Sequence, residues 1–141
     1  MPDRETTGPG AGPNQAEIEL RVRYAECDPM GFVHHSTYPV WFEMARTELL
    51  RLRGVCYRDV EAEGWYFVVA RLSVRYRKPA RYDDELVVSV RVEPTLGAKL
   101  EHAYEVRRGG ELIATAETTL ACVDRDGRLV RVPAELMAKP G

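Results

Sequence analysis

The sequence predicts an α+β fold in which one antiparallel sheet of about five strands wraps around one long central helix. Three observations predict it. A strand with period-two alternation opens the ordered part of the chain, a strongly apolar segment of helical period follows, and everything after Gly64 reads as consecutive strands separated by Pro and Gly.

The first strand starts near Ala16. Ile18, Leu20, Val22 and Tyr24 alternate with Glu17, Glu19, Arg21 and Arg23, which gives a sheet with one wet face. From Ala25 to Thr37 the alternation breaks, and Asp28-Pro29 and Gly31 predict a loop. Tyr38, Trp41, Phe42, Ala45, Leu49 and Leu52 then recur at three and four residues and stack on one side of a helix. Ser36 or Thr37 can cap it, Pro39 suits its first turn, and Gly54 stands where a C′ glycine belongs. Val40, Met44 and Leu50 widen the apolar face, so the helix is expected to be largely buried. A short helical turn is expected over Arg58 to Glu63.

Val68, Ala70, Leu72, Val74 and Tyr76 form the second strand, stopped by Lys78-Pro79. Leu86 to Val92 form the third, Leu100 to Val106 the fourth, and Leu112 to Val123 a long fifth after the Gly109-Gly110 turn. A turn at Asp126-Gly127 leads into a further extended run, Arg128 to Val132, and Pro133 to Lys139 offer a terminal helical turn. Residues 1–15, rich in Pro, Gly and charge, read as a disordered leader, and 16–141 as a single domain. So small a sheet leaves one face partly uncovered and its edges unpaired, which predicts a symmetric oligomer.

Composition narrows the function. The chain has 141 residues, with 45% hydrophobic and 30% charged, and a net charge of −2. That balance offers no basic field for nucleic acid or an anionic membrane. Three cysteines, Cys27, Cys56 and Cys122, form no C-x-x-C pair and suit a reducing compartment, and no apolar run has the length of a membrane span, so the cytoplasm is expected.

The chemistry concentrates in Tyr24-Ala-Glu-Cys-Asp28-Pro-Met-Gly31-Phe-Val-His34-His35-Ser-Thr-Tyr38. A carboxylate at a strand end is followed seven residues later by an imidazole at a helix start. The unpaired N–H groups of a helix N-terminus can hold a developing oxyanion. A carboxylate beside them can attack a carbonyl carbon or activate water toward it. Pro29 and Gly31 shape the turn and would let backbone approach a substrate. The arrangement fits acyl transfer, and a plain turn aspartate fits the spacing as well.

Asp28-Pro29-x-Gly31-x-Val33, with a ring at His35 and Tyr38-x-x-Trp41 opening the helix, resembles the 4-hydroxybenzoyl-CoA thioesterase-like family of hotdog proteins. Pro79-Ala80-Arg81-Tyr82-Asp83-Asp84-Glu85-Leu86 is similar to that family's junction between two strands, and the similarity runs from about Ile18 to Pro133. The resemblance implies hydrolysis of an acyl-CoA thioester without metal or cofactor, in a homodimer or a dimer-of-dimers tetramer with sites at the subunit interface. It makes Asp28 the catalytic carboxylate. It puts His35 beside the thioester carbonyl, where its backbone N–H would donate and its ring would assist proton transfer. It implies that Gly31 and Tyr38 line the substrate and that Lys99, the one Lys in Thr95-Leu96-Gly97-Ala98-Lys99, meets the CoA phosphates.

Other candidates read more plainly. His34 and His35 are adjacent, so their side chains point apart, and with Asp28 they make no metal pattern. Cys27 is expected as a small buried residue, His102 as a hydrogen-bonded core or interface residue, and Glu43 and Glu48 as solvated or paired helix charges. Arg75, Arg77 and Lys78 fit phosphate contacts and an exposed strand face equally. Two competing functions share the fold: an acyl-CoA hydratase or dehydratase, whose D-x-N-x-x-H type motif is not seen here, and a non-catalytic acyl-thioester-binding protein.

Overall fold

The computed structural model describes residues 13–139. Five strands, β1 (Gln15–Arg21), β2 (Tyr66–Tyr76), β3 (Glu85–Glu93), β4 (Lys99–Arg108) and β5 (Glu111–Val123), form one open antiparallel sheet in the order β1-β3-β4-β5-β2. One long helix, α1 (Tyr38–Leu52), lies on the sheet, and a short one, α2 (Tyr57–Ala62), leads into β2. Residues 1–12 of the expected leader lie outside the described residues. Residues 13–15 belong to the fold, because Gln15 pairs with Arg91 and the Pro13 carbonyl accepts from Arg53.

Alternation sets which side of each strand meets the helix. Leu86, Val88, Val90 and Val92 of β3, and Leu100, His102, Tyr104 and Val106 of β4, all turn inward and are buried. From α1 come Tyr38, Trp41, Phe42, Ala45 and Leu49, with Phe42 wholly enclosed. The Phe42 ring sits 4.6 Å from that of Tyr104, tying helix to sheet at the centre of the core.

The helix is buried on one side only. It packs chiefly on β1 and β3, which leaves the inner face of β2 open. Val40 and Met44, expected to widen the buried face, are exposed, as are Val69, Leu72 and Tyr76 across from them. The spacing places Val40 and Met44 on the flank of α1, away from the half of the sheet that the helix covers.

Three boundaries differ from expectation. β1 ends at Arg21, and Tyr24 is exposed in a short 3-10 turn, because the Glu26 carboxylate accepts the Arg23 N–H (2.8 Å) and curls the chain. In β2 the register shifts between Val69 and Arg71, so Phe67 and Val69 face inward with Leu72, Val74 and Tyr76, and Val68 and Ala70 face out. Residues 128–132 form a single bridge, Leu129 to Val123, and not a strand. The terminal turn is a 3-10 turn, Ala134–Leu136.

Arg53 closes the end of α1. Only 8% exposed, it donates from Nε to the Pro13 carbonyl (2.8 Å), from Nη1 to those of Met137 (2.7 Å) and Glu135 (3.2 Å), and from Nη2 to Asn14 Oδ1 (2.8 Å). Burial lowers its pKa, and neutral oxygens alone hold the guanidinium. Arg53→Met leaves those acceptors without donors in a closed site, and we expect a loss of about 3 kcal/mol in a urea unfolding titration at neutral pH.

Candidate active site

Asp28 sits at the head of a small hairpin. Cys27 bridges Val33, the Asp28 N–H donates to the Phe32 carbonyl (2.7 Å), and the Gly31 N–H donates back to the Asp28 carbonyl (2.9 Å). The half-buried Asp28 carboxylate completes the turn, as Oδ1 accepts from the backbone N–H of Met30 (2.9 Å) and Phe32 (3.1 Å). Its other oxygen, Oδ2, accepts no hydrogen bond from the described residues. One oxygen is held by the turn, and the other is unengaged by the described residues.

Gly31 serves this turn by conformation. Its φ is +86°, while a Cβ there would meet nothing within 4 Å. The left-handed backbone by itself calls for a glycine here.

The segment Ala80 to Asp84 carries the hairpin. The Val33 N–H donates to the carbonyl of the fully buried Ala80 (2.8 Å), Phe32 bridges Arg81, and the Arg81 guanidinium lies 4.8 Å over the Phe32 ring. Asp84 fixes the support, accepting from the Arg81 N–H (2.8 Å) and from Arg108 Nη1 (2.7 Å). The two sequence motifs that looked separate are therefore one packed unit.

On the other side the hairpin is tied to α1 through Glu26. Its carbonyl accepts from the His34 N–H (2.8 Å), and its carboxylate accepts from Trp41 Nε1 (3.3 Å) and Arg23 Nη2 (3.1 Å). His34, rather than the Ser36 or Thr37 hydroxyl, caps this end: its Nδ1 accepts from the Ser36 N–H (3.1 Å). His35 is exposed, and against the expectation that the two side chains point apart its ring stacks on His34 at 4.3 Å, because the two residues lie at the cap and start of a turn and not in an extended strand; its carbonyl accepts from the Tyr76 hydroxyl (3.0 Å). As first residue of the 3-10 turn that feeds α1, it keeps an N–H that donates to none of the described residues.

Two expected contacts are placed elsewhere. Tyr38 is 2% exposed, with its ring 5.0 Å from those of Trp41 and Tyr76, and burial raises its pKa to about 12. In one copy of the chain it packs in the core between the Trp41 and Tyr76 rings. Lys99 begins β4, whereas Asp28 lies by the other end of the sheet, so within one copy roughly 27 Å of strand separates their levels. Sequence reasoning passed over Glu26 and Ala80; their contacts span 15 and 47 residues, and no local pattern signals them.

Other expectations resolve simply. Cys27, Cys56 and Cys122 are free thiols, and Glu48 pairs with Arg51 (2.6 Å). Lys78 pairs with Glu111 (2.8 Å). His102 departs from expectation: it is buried, yet its Nδ1 has no hydrogen-bond partner.

Two clefts lie away from Asp28. A polar groove of about 830 Å³ crosses the outer face of the sheet between Glu17, Arg91, Glu105, Glu117 and Arg75. A smaller cleft of about 170 Å³ opens between α1 and the inner faces of β2, β4 and β5. Neither is lined by Asp28 or His35.

Residues 22–139 match the model of the thioesterase-like superfamily. YneP of Bacillus subtilis (strain 168) is 38% identical over 109 residues, covering 77% of this chain and 79% of the relative. The acyl-CoA thioester hydrolase YbgC of Escherichia coli O157:H7 is 35% identical over 106 residues, covering 74% and 79%. A DHNA-CoA thioesterase from Staphylococcus aureus superimposes with a TM-score of 0.79 at 34% identity, covering 83% of this chain and 80% of that one.

Proposed function

Because this chain belongs to the thioesterase-like superfamily and has its hotdog fold, we propose that it is an acyl-CoA thioesterase in which Asp28 drives hydrolysis. The observation that carries the reading is the divided carboxylate: Oδ1 is fixed by the Met30 and Phe32 amides, and Oδ2 is unbonded. The YbgC relative, an acyl-CoA thioester hydrolase, supports the substrate class.

Acting as base, Asp28 takes a proton from water while the water oxygen adds to the thioester carbonyl carbon. Charge gathers on the carbonyl oxygen, which the free His35 N–H and the positive end of α1 stabilise. The tetrahedral adduct collapses, the C–S bond breaks, and CoA leaves as a thiolate that recovers the proton. Acting as nucleophile, Asp28 would add to the same carbon and the C–S bond would break, releasing CoA thiolate and leaving an acyl anhydride. Water then opens the anhydride to free acid and carboxylate, its proton going to the thiolate. The carboxylate and amides carry either course, and neither metal nor cofactor has a part in it.

The site is completed by a second copy of the chain. β2 is the last strand of the sheet, with its outer edge unpaired. Antiparallel pairing of two β2 edges about a two-fold axis would cover Leu72 and Tyr76. It would also bring the Lys99 end of one sheet alongside the Asp28 end of the other, which supports Lys99 as a phosphate contact across the seam. A homodimer is therefore the smallest working unit, and a dimer of dimers is its natural extension. No helix among the described residues is long and apolar enough to cross a membrane, and three free thiols suit the cytoplasm.

A panel of acyl-CoAs of varied chain length and ring content, read by release of free thiol, tests the reading. We expect at least one to turn over at a rate above about 1 s⁻¹. A panel in which every acyl-CoA survives would overturn it.

A further inference from the structure

The helical run that becomes α1 starts at His35, and an imidazole fixes its start. The His34 Nδ1 accepts from the Ser36 N–H (3.1 Å), and the His34 carbonyl accepts from the Thr37 N–H (2.9 Å). The His34 N–H in turn donates to the Glu26 carbonyl (2.8 Å), which ties the cap to the Asp28 hairpin. His34 therefore takes up the second and third amides of the turn. The first, that of His35, donates to none of the described residues and is left for a ligand.

The residues usual in this position, Ser, Thr, Asn and Asp, accept through an oxygen. A histidine accepts through Nδ1 only while that nitrogen carries no proton. The bond to the Ser36 amide therefore requires a neutral ring protonated on Nε2. A second proton turns Nδ1 into a donor. It can still reach the Ser36 hydroxyl, 2.8 Å away, but the Ser36 amide loses its acceptor. The His34 side chain is exposed, so water can deliver that proton. The ionisable groups on the elements packed around the turn are His35, whose ring stacks on His34, Glu26 and Asp28 of the hairpin, Arg81 and Asp84 of the supporting segment, and Tyr76 of β2. α1 has no acidic residue in its first turn. Among the described residues, only Ser36 hydrogen-bonds to the His34 ring.

We propose that His34 is a positioning residue for the oxyanion-binding amide of His35 and that it acts only while neutral, so that a proton on its ring loosens the turn and slows hydrolysis. The proposal rests on the thioesterase reading and gives that site a regulation by pH. The switch is a reversible transfer of one proton from water to Nδ1, with no covalent step. Preorganised donors work because they are already aimed when charge develops on the carbonyl oxygen. A turn that has lost its cap holds the His35 amide less firmly, which lowers kcat and leaves ground-state binding nearly as it was.

The test is kcat and KM on the best acyl-CoA for wild type, His34→Asn and His34→Ala, across the interval of about pH 5 to 8 in which imidazoles change charge. Wild-type kcat should fall at least about fivefold toward the acid end, with KM changing less than about twofold. Asparagine caps with an oxygen and gains no proton. His34→Asn should therefore stay within about twofold of wild type at the alkaline end and lose the imidazole limb of the profile. His34→Ala should sit about five- to tenfold below wild type at the alkaline end. An acid limb that persists unchanged in His34→Asn, or a His34→Ala kcat equal to wild type at the alkaline end, would overturn the proposal. Should either variant fail to fold, ¹⁵N spectra of wild type decide it. The Ser36 amide should shift and lose exchange protection as the His34 ring takes up its proton, and an amide indifferent to that proton counts against the proposal. Failure of the thioesterase reading is seen separately, as a Ser36 amide that follows the ring while no acyl-CoA is cleaved at any pH.

Discussion

Asp28→Asn should lower turnover on the best acyl-CoA by at least about a hundredfold while leaving the fold intact. The substitution separates two roles that one side chain performs. Oδ1 accepts from the Met30 and Phe32 N–H groups and holds the hairpin, and an asparagine carbonyl oxygen can accept both. What Asn lacks is the charge and basicity that the mechanism asks of the carboxylate. Asp28→Ala removes both roles and should lose the same activity together with about 1 kcal/mol of stability. The measurement is thiol release at saturating acyl-CoA, beside a thermal melt of each variant. An Asp28→Asn variant that melts like wild type and still hydrolyses would reduce Asp28 to a turn residue. A single turnover in ¹⁸O-water then tests for attack by the side chain: label in the Asp28 carboxylate marks an anhydride opened at the Asp28 carbon, and label in the product acid alone marks water adding to the acyl carbon.

The helix and four strands were legible because period and punctuation act locally. Tyr38 to Leu52 carry a 3.6-residue repeat that ends before Gly54, and β3 alternates cleanly from Leu86 to Val92 between two turns. The β2 bulge was not legible, since Val68-Val69-Ala70 reads equally well in either register, and only pairing with Leu120 and Thr119 of β5 decides it. The Arg128 to Val132 run has strand composition, but its pairing is one bridge, Leu129 to Val123, and scattered bonds to Asp124, Cys122 and Gly97, too irregular for a strand. Asp28 was marked by the Pro and Gly around it, yet the division of labour between its oxygens depends on how residues 30 and 32 turn their amides, which no spacing encodes. The burial of Tyr38 was not legible for a related reason. An aromatic at a helix start can face a ligand or the core, and the neighbours that draw it inward include Tyr76, 38 residues away.

The exposed apolar strip is where the reach of one chain ends, and a charge placed in it should have the largest effect on assembly. Val69 (55% exposed), Leu72 (41%) and Tyr76 (48%) on β2, with Val40 (51%) and Met44 (45%) on α1, are large apolar side chains left exposed. Three of them lie on a strand whose outer edge pairs with no other described strand, a combination that folded proteins seldom leave open to water. We expect the wild-type protein to run in light scattering at a multiple of its 16.0 kDa chain mass. Leu72→Glu puts a carboxylate at the middle of β2, facing inward, where pairing of two β2 edges would strip it of water at a cost of several kcal/mol with no cation to meet it. The variant should therefore run as a folded monomer and, on the proposal that a second copy completes the site, lose most of its hydrolysis. Arg75→Glu, a larger charge change on the outer face of the same strand, should remain at least dimeric and active. A wild-type chain that is monomeric and fully active at assay concentration would remove the partner from the mechanism, and the free oxygen of Asp28 would then have to work from an open surface.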